Sequence, residues 1–151
     1  MYDYEPNAKK KSQQGVDLLV VERGERTPEF WSLMGPFFAS EKVHRNLPTL
    51  HDEPGNDMWF IALKLGTVQS FSCLRFGGKS ATLCHHWAEE GARDKGIAAA
   101  MMDARLDAAR AEGVKKLRSV VHNDSVEAFV RQGFTPTITR ARFTTVEMTL
   151  E

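Results

Sequence analysis

The stretch of the sequence with the clearest chemical potential runs from Arg93 to Ala98 and reads Arg-Asp-Lys-Gly-Ile-Ala. It follows a strand-like segment and opens a helical one, and the first amides of a helix have no partners within that helix. Together with the helix dipole, these amides favour an anion such as a pyrophosphate. Gly96 lets the backbone approach the anion closely, and Lys95 can add a charge-assisted hydrogen bond. A basic loop before a solvent-facing helix is the simpler alternative for so short a motif.

Two adjacent histidines are the first candidates for acid–base chemistry. His85 and His86 lie within a predicted strand, Ser80–Trp87. Neighbouring strand residues point to opposite faces, so His85 should share a face with Trp87, and Cys84 should share the other face with His86. One of the two histidines should therefore point toward a cleft beside the strand. Imidazole is suited to deprotonating an ammonium group near neutral pH, although either ring could equally be a half-buried strand residue.

Three further side chains near the histidines could also carry chemistry. Glu89 and Glu90 are alternative bases, although loop acids are more often solvated. Cys84 could be a nucleophile only beside a base and in an electropositive setting. Because its neighbour His85 should point the opposite way, we interpret Cys84 as a small core residue. Adjacent strand residues also cannot converge on one ion, so we expect no metal site.

The elements that position these residues change type along the chain. Alternating or continuous apolar residues predict seven strands, over Val16–Glu22, Met58–Leu65, Thr67–Phe76, Ser80–Trp87, Val114–His122, Phe134–Arg140 and Arg142–Leu150. Helical signals predict two short helices over Phe30–Leu47 that are separated by Gly35-Pro36. A longer helix is predicted over Ile97–Glu112.

A last short helix is predicted to begin at Asp124, where Asp124 and Glu127 have the spacing of a capping box. Its buried face is predicted to consist of Val126, Phe129 and Val130. The order of elements predicts an α/β (α+β) fold with a single domain, in which helices flank a mixed, mostly antiparallel sheet. We expect residues 1–15 to form a flexible leader and residues 16–151 to form the domain.

Bulk composition narrows the class of protein. The chain has 151 residues, with 20 basic and 20 acidic side chains, so its formal net charge is zero. This balance argues against binding of nucleic acid through the overall charge of the protein. A nucleic-acid partner is possible but is not favoured. No apolar run approaches the roughly 20 residues that span a bilayer. Two cysteines do not make a disulfide framework, so we expect a cytoplasmic protein that does not associate with membranes.

Two motifs at this spacing resemble those of the GNAT (Gcn5-related N-acetyltransferase) superfamily. Residues 93–98 resemble its central Q/R-x-x-G-x-G/A motif, and residues 123–134 (NDSVEAFVRQGF) resemble the motif that follows. In that second motif a strand ends in Asn, a short helix follows, and Gly-Phe closes it. The predicted order of strands and helices is similar to that of the family over roughly residues 16–150.

This resemblance implies an acyl-CoA-dependent N-acyltransferase that transfers an acetyl group from acetyl-CoA to a primary amine by direct attack. It implies a cleft where two parallel strands, here Ser80–Trp87 and Leu117–His122, splay apart. A backbone amide near Trp87 to Glu89 would stabilise the developing oxyanion. The residues implied to contact the cofactor are Trp87, Ala88, Arg93, Asp94, Lys95, Gly96, Ile97, Ala98, Asn123 and Phe129. The candidate catalytic residues are His85, His86 and Glu89.

The sequence departs from the family at the place where many members carry a tyrosine that protonates the leaving thiolate. Phe129 holds that place, and the only tyrosines are Tyr2 and Tyr4. A catalytically degenerate CoA-binding module is therefore one alternative. A GNAT-fold acyltransferase that modifies a nucleobase or DNA is another, and a CoA-free structural protein is the least favoured. Dimers are frequent in the family, so a homodimer is possible, and neither the acceptor nor the length of the acyl chain follows from the sequence.

Overall fold

An eight-stranded sheet organises the protein in the computed structural model, which describes residues 9–11, 15–90 and 95–150. The strands are β1 (Lys9–Lys11), β2 (Asp17–Val21), β3 (Asp57–Lys64), β4 (Thr67–Gly77), β5 (Ser80–Ala88), β6 (Lys116–His122), β7 (Thr135–Arg140) and β8 (Phe143–Thr149). Their order across the sheet is β1-β2-β3-β4-β5-β6-β8-β7. Among these described strands, only β5 and β6 pair in parallel, and every other neighbouring pair is antiparallel. The predicted mixed, mostly antiparallel sheet with one parallel pair is confirmed.

Four α-helices cover the two faces of this sheet. They are α1 (Pro28–Phe38), α2 (Glu41–Asn46), α3 (Lys95–Ala111) and α4 (Val126–Arg131), and a 3-10 turn over Asn123–Ser125 precedes α4. The two faces follow the period-two alternation of β3. Phe60 packs with α3 on one face, whereas Trp59 packs with Phe30 and Met34 of α1 on the other. The parallel pair β5–β6 lies between these helical layers.

The sequence predicted a break in the first helix at Gly35-Pro36, but the structure shows none. Helix α1 continues to Phe38, and the amide of Ala39 donates to the carbonyl oxygen of Gly35 over 3.0 Å. A residue before proline is normally driven out of the helical region because its Cβ collides with the proline ring. Gly35 has no Cβ, so the helix passes through, and a new helix begins only where Ser40 caps the amide of Val43.

Two other local predictions also need correction. The predicted capping box at Asp124 does not form, because the ring of His122 accepts the amide hydrogen of Asp124 instead. Val130 was predicted to be buried but is 44% exposed, while Val126 and Phe129 do pack against the core. The backbone of Lys9–Lys11 forms β1 beside β2, a strand that the sequence analysis did not predict within the leader. The division into a leader and one domain stays a prediction.

Candidate functional site

The parallel strands β5 and β6 separate after a short paired segment. They pair only at Ser80–Lys116, Ala81–Leu117 and Thr82–Arg118. At the next position the hydroxyl of Ser119 donates to the carbonyl oxygen of Leu83 over 3.0 Å, so a side chain makes the last link between the strands. Beyond this link the strands diverge in a V, as the resemblance implied.

A cavity of about 430 Å³ occupies this V. One wall comes from β5 and the facing wall from β6, and α3 and α4 contribute the remainder. Its lining combines apolar side chains, such as Met102 and Phe129 on the helices, with polar and charged ones, such as Ser119 on β6 and Arg105 on α3. The lining residues are Leu47, Leu83, Cys84, His85, His86, Ala98, Met102, Arg105, Ser119, Val120, Val121, His122, Ser125, Ala128, Phe129 and Gln132. A cleft of this size with few polar groups is the usual form of a small-molecule site.

The two histidines occupy a β-bulge on the wall formed by β5. Residues 85 and 86 of β5 lie opposite the single residue 72 of β4, between the pairs Cys73–Cys84 and Phe71–Trp87. His85 adopts a left-handed backbone with φ of 54°, a conformation in which histidine is several-fold enriched among non-glycine residues. The inserted residue changes the alternation of faces beyond it.

This bulge corrects part of the predicted side-chain orientation. His85 and Trp87 do share a face, because the ring of His85 stacks near Trp59 and that of Trp87 stacks on Phe71. Cys84 packs against the same cluster. The prediction that Cys84 shares a face with His86 is therefore wrong. His86 alone turns toward the opposite face.

His85 is enclosed by aromatic and charged neighbours. Its Nε2 atom lies 3.4 Å from Nη2 of Arg75, and its ring is nearly parallel to that of Trp59. Burial, followed by the positive charge of Arg75, lowers the pKa of His85 to about 4. The imidazole is therefore neutral at pH 7. Its contacts with Trp59 and Arg75 hold the ring in place, which does not suit a side chain that must move to carry a proton.

His86 is accessible at the cavity surface, yet protein atoms surround much of its ring. Desolvation, followed by the nearby charge of Arg105, lowers the pKa of His86 to about 4. It is thus unprotonated at pH 7 and able to accept a proton. Both histidines line the cavity, but only His86 points to the face of the sheet that α3 covers.

Arg105 is a residue of this cavity that the sequence analysis missed. It lies on α3 with only 5% of its surface exposed, at i+4 from Met101 and i+3 from Met102, on the buried stripe of the helix. Its Nε atom has no hydrogen-bond partner in the structure. A search for apolar periodicity passes over such a position, but a cation inside an apolar stripe is itself a signal that could have been used.

A polar network lies behind His85 on the face covered by α1 and α2. Asp57 is fully buried and receives both Nε and Nη2 of Arg75, at 2.7 and 2.9 Å. The ring of His51 packs edge-on to that of His85 and contacts the carboxylate of Glu53. The pKa of His51 is raised, mainly by its hydrogen bond to the carbonyl oxygen of Thr49. This network fixes the wall on which the bulge rests.

The predicted residues at the end of β5 have mainly structural contacts. The carbonyl oxygen of Trp87 accepts the hydroxyl of Ser70 over 2.8 Å, and Ala88 pairs with Ser70 in the sheet. The amide of Glu89 donates to the carbonyl oxygen of Gln69 over 2.8 Å. That amide is therefore already used, and the exposed side chain of Glu89 does not line the cavity.

The predicted anion loop is described only from the helix onward. Arg93 and Asp94 lie outside the described residues, and the backbone of Lys95 begins α3. Ile97 is buried in the core, whereas Ala98 is exposed and lines the cavity one residue further along. Gly96 lies between Lys95 and Ile97 in the first turn of α3. The start of the helix thus lies at the cavity, as an anion site at that position would require.

The second motif contributes four cavity residues, Ser125, Ala128, Phe129 and Gln132, and one structural residue, Asn123. Phe129 lines the cavity on α4 and packs edge-on against Phe134. The side-chain amide of Asn123 donates to the carbonyl oxygen of Ala141, and its oxygen accepts the hydroxyl of Thr144. Asn123 therefore joins the end of β6 to β8 and does not line the cavity.

The described part of the chain contains no cluster of three or more potential metal ligands among His, Cys, Asp and Glu. None of its helices is both long and apolar enough to cross a membrane.

Comparisons with known proteins agree with this geometry. A sequence profile of the Acetyltransferase (GNAT) family matches residues 27–134, which is well over half of the chain. No curated protein matches. Solved structures with a similar fold include an acyl-CoA N-acyltransferase from Pseudomonas aeruginosa, with a TM-score of 0.73, 14% identity and coverage of 87% of this chain and 98% of that one.

Two further structures have the same fold. ElaA from Escherichia coli matches with a TM-score of 0.71 and 11% identity, covering 87% of this chain and 98% of that one. PaiA N-acetyltransferase from Thermoplasma acidophilum, solved in complex with coenzyme A, matches with a TM-score of 0.59 and 16% identity, covering 84% and 82%. At such identities the likeness concerns the fold.

Proposed function

Because the chain belongs to the Acetyltransferase (GNAT) family, we propose that it transfers an acyl group, in the simplest case acetyl from acetyl-CoA, to a primary amine by direct attack. The observation that carries this proposal is the cavity in the V between β5 and β6, which extends to Ala98 at the start of α3. An anion at the helix start and an extended chain in the V would both be accommodated. The acceptor would reach the same point from the side of α2.

The residues present suit an acyl-CoA. Helix α3 has 17 residues, and its first turn meets the cavity at Ala98, where a small side chain leaves room for a diphosphate near the amides. The wall continues through Met102 on α3 and Phe129 on α4, which offer apolar surface to a flexible arm. When bound, the thioester would supply an activated acyl group.

His86 is our candidate for the proton acceptor. Its low pKa keeps it unprotonated at pH 7, but it also makes the imidazole a weak base toward a free ammonium ion. It would therefore accept the proton after an unprotonated amine has bonded to the acyl carbon, when that nitrogen is far more acidic. The C–S bond of the thioester would then break, and CoA would leave as its thiolate. His85 would act as a positioning residue, since Trp59 and Arg75 hold its ring.

A matched pair of alanines tests binding in the cavity. Ala98 and Ala99 are consecutive exposed residues in the first turns of α3, but only Ala98 lines the cavity. We expect Ala98→Leu to weaken the affinity for CoA and acetyl-CoA at least about tenfold in calorimetric titrations, a loss of about 1.4 kcal/mol. Ala99→Leu adds the same side chain outside the cavity and should bind as the wild type does. Equal affinity in all three proteins would refute binding at this site.

A second candidate is a CoA-binding protein without catalysis. Phe129 lines the cavity where many family members carry tyrosine, and no described residue supplies a phenol because Tyr2 and Tyr4 lie outside the described range. The discriminating measurement is release of free thiol from acetyl-CoA in the presence of a panel of primary amines. Binding with no amine-dependent release would favour this second candidate, and amine-dependent release would exclude it.

The cellular setting is also part of the proposal. A cytoplasmic location would suit Cys73 and Cys84, which are free thiols on adjacent strands, because the cytosol keeps thiols reduced. The zero formal net charge favours a small molecule or a protein amine over nucleic acid as the acceptor. A homodimer stays a prediction.

A further inference from the structure

Arg105 is a buried cation that lines the cavity. Its exposure is 5%, and its Nε–H has no hydrogen-bond partner. Ala98 and Met102 lie on the same face of α3, seven and three residues earlier, and also line the cavity. The side chain therefore belongs to the same surface as the proposed binding site.

The other enclosed arginines within the described residues form ion pairs with carboxylates, and Arg105 forms none there. Arg26 donates Nε and Nη2 to Asp52 at 2.7 and 2.8 Å, and Arg75 donates to Asp57 with similar geometry. Among the residues that the structure describes, no carboxylate forms an ion pair with Arg105. A buried charge without a partner is costly, and such an arrangement is expected where a ligand supplies the missing anion.

Its position separates Arg105 from the start of the helix. Seven residues of α-helix span about 10 Å, so Arg105 lies about 10 Å along α3 from Ala98, toward the point where β5 and β6 meet. The proposed diphosphate would bind at the first turn and cannot also reach this depth. Nearby, His86 is uncharged at pH 7, and the hydroxyl of Ser119 is already donated to Leu83. A separate and smaller anion fits the geometry.

We propose that Arg105 binds a carboxylate of a substrate within this cavity. A guanidinium group matches a carboxylate through two parallel hydrogen bonds, and the unused Nε–H supplies one of them. This inference rests on the proposed function and refines its substrate class. The carboxylate has two possible sources: the acyl chain of a dicarboxylic acyl-CoA such as succinyl-CoA, or an acceptor amine that carries a carboxylate.

The first test compares acyl donors. Free CoA, acetyl-CoA and succinyl-CoA are titrated calorimetrically into the wild type, Arg105→Met and Arg105→Lys. If the acyl chain carries the carboxylate, succinyl-CoA binds the wild type at least about tenfold more tightly than acetyl-CoA. Arg105→Met abolishes that preference while the affinity for free CoA stays unchanged, and Arg105→Lys retains part of it.

The second test addresses the acceptor. With acetyl-CoA as donor, α-amino acids are compared with their amides. If the acceptor carries the carboxylate, the wild type has a lower KM for the acids than for the amides, and this difference in KM disappears in Arg105→Met. If neither test shows a preference for a carboxylate, the proposal is overturned. An equal loss of affinity for free CoA, acetyl-CoA and succinyl-CoA in Arg105→Met also overturns it, because Arg105 would then hold CoA itself.

A third measurement separates this inference from the proposed function. Titration of the protein with succinate alone, followed through the ¹⁵N resonance of the Arg105 Nε–H, does not depend on CoA. A saturable shift supports the carboxylate site even if CoA fails to bind. No shift, together with no donor or acceptor preference, refutes the site while leaving CoA binding as a separate result. Melting curves verify that Arg105→Met is folded.

Discussion

Individual charged residues in the described part of this protein are stabilised mainly by specific partners, and one such pair joins the fully buried Asp57 to the partly exposed Arg75. Asp57 has no exposed surface, and two hydrogen bonds at 2.7 and 2.9 Å join it to Arg75. We expect Asp57→Ala to lower the free energy of unfolding by about 3–5 kcal/mol, because Arg75 would keep its partial burial but lose its bidentate partner. Urea denaturation at pH 7 measures this change.

The control is Glu147→Ala, which removes an ion pair whose partners Lys116 and Arg118 are about half exposed. Such pairs contribute about 0–1 kcal/mol. A loss in Asp57→Ala that is no larger than the loss in Glu147→Ala would show that the buried pair has no special role.

His85 should make the protein sensitive to acid. Burial lowers its pKa from 6.5 to about 4 in the folded state, so below pH 6.5 the unfolded chain binds a proton that the folded chain does not. Above pH 6.5 the titration of His85 therefore does not reduce the free energy of unfolding. As the pH falls toward 4, this group lowers that free energy by up to about 3 kcal/mol. His85→Asn should make this decline shallower, since asparagine tolerates the left-handed backbone and does not titrate.

The comparison for this prediction is His51→Asn. The pKa of His51 is raised in the folded state, chiefly by its hydrogen bond to Thr49, so its contribution is present at low pH and is lost as the pH rises through the folded pKa. Removing it should leave the acid-side decline as steep as before or steeper. Unfolding free energies between pH 7 and 4.5 distinguish the variants, and an unchanged slope in His85→Asn would contradict the assignment.

At the scale of elements, helix α1 depends on a glycine that precedes a proline. A Cβ at Gly35 meets no atom within 4 Å beyond its chain neighbours, so helix propensity alone predicts a gain of about 1 kcal/mol for Gly35→Ala. The ring of Pro36 opposes this gain by colliding with the new Cβ. We expect Gly35→Ala to be neutral or destabilising in the wild type but stabilising in a Pro36→Ala background. Equal effects in both backgrounds, measured by urea denaturation, would exclude the explanation.

Much of this fold could be predicted because its elements have regular patterns. The continuous apolar run of β3 identifies a strand that is buried on both faces, and the apolar stripe of α3 identifies that helix and the face that it buries. The splayed pair β5–β6 could be expected only through the family resemblance, since no local pattern states which strands are parallel. The continuity of α1 was missed because the rule for proline was applied without considering that Gly35 lacks a Cβ.

The site was harder to predict for reasons that are also physical. The bulge at His85 inserts one residue without a glycine to mark it, so alternation assigned Cys84 to the wrong face. Arg105 escaped notice because only apolar residues were counted along α3. The predicted histidines and Phe129 do line the cavity, whereas Asn123 is engaged at the end of β6.

At the scale of the whole molecule, the sheet consists of two parts that meet at a short seam. Strands β1–β5 form one part and β6, β8 and β7 form the other, and β5 pairs with β6 at only three positions before the V opens. Residues 83–86 and 119–122 face each other across the cavity without strand-to-strand pairing, so we expect them to open locally at low free energy. Helix α3 connects β5 to β6 in the chain and packs on β3 and β4 of the first part.

A ligand that fills the V should therefore connect the two parts. We expect CoA to slow hydrogen exchange at short labelling times in residues 119–132, which include the β6 wall and α4. Strand β3 is enclosed between helices on both faces and should show no change at those times, because its amides exchange only through larger openings. Ala98→Leu, with its blocked cavity, should show neither effect at the same CoA concentration. Protection limited to the start of α3 would mean that CoA binds at the helix without entering the V, and the seam would then have no part in binding.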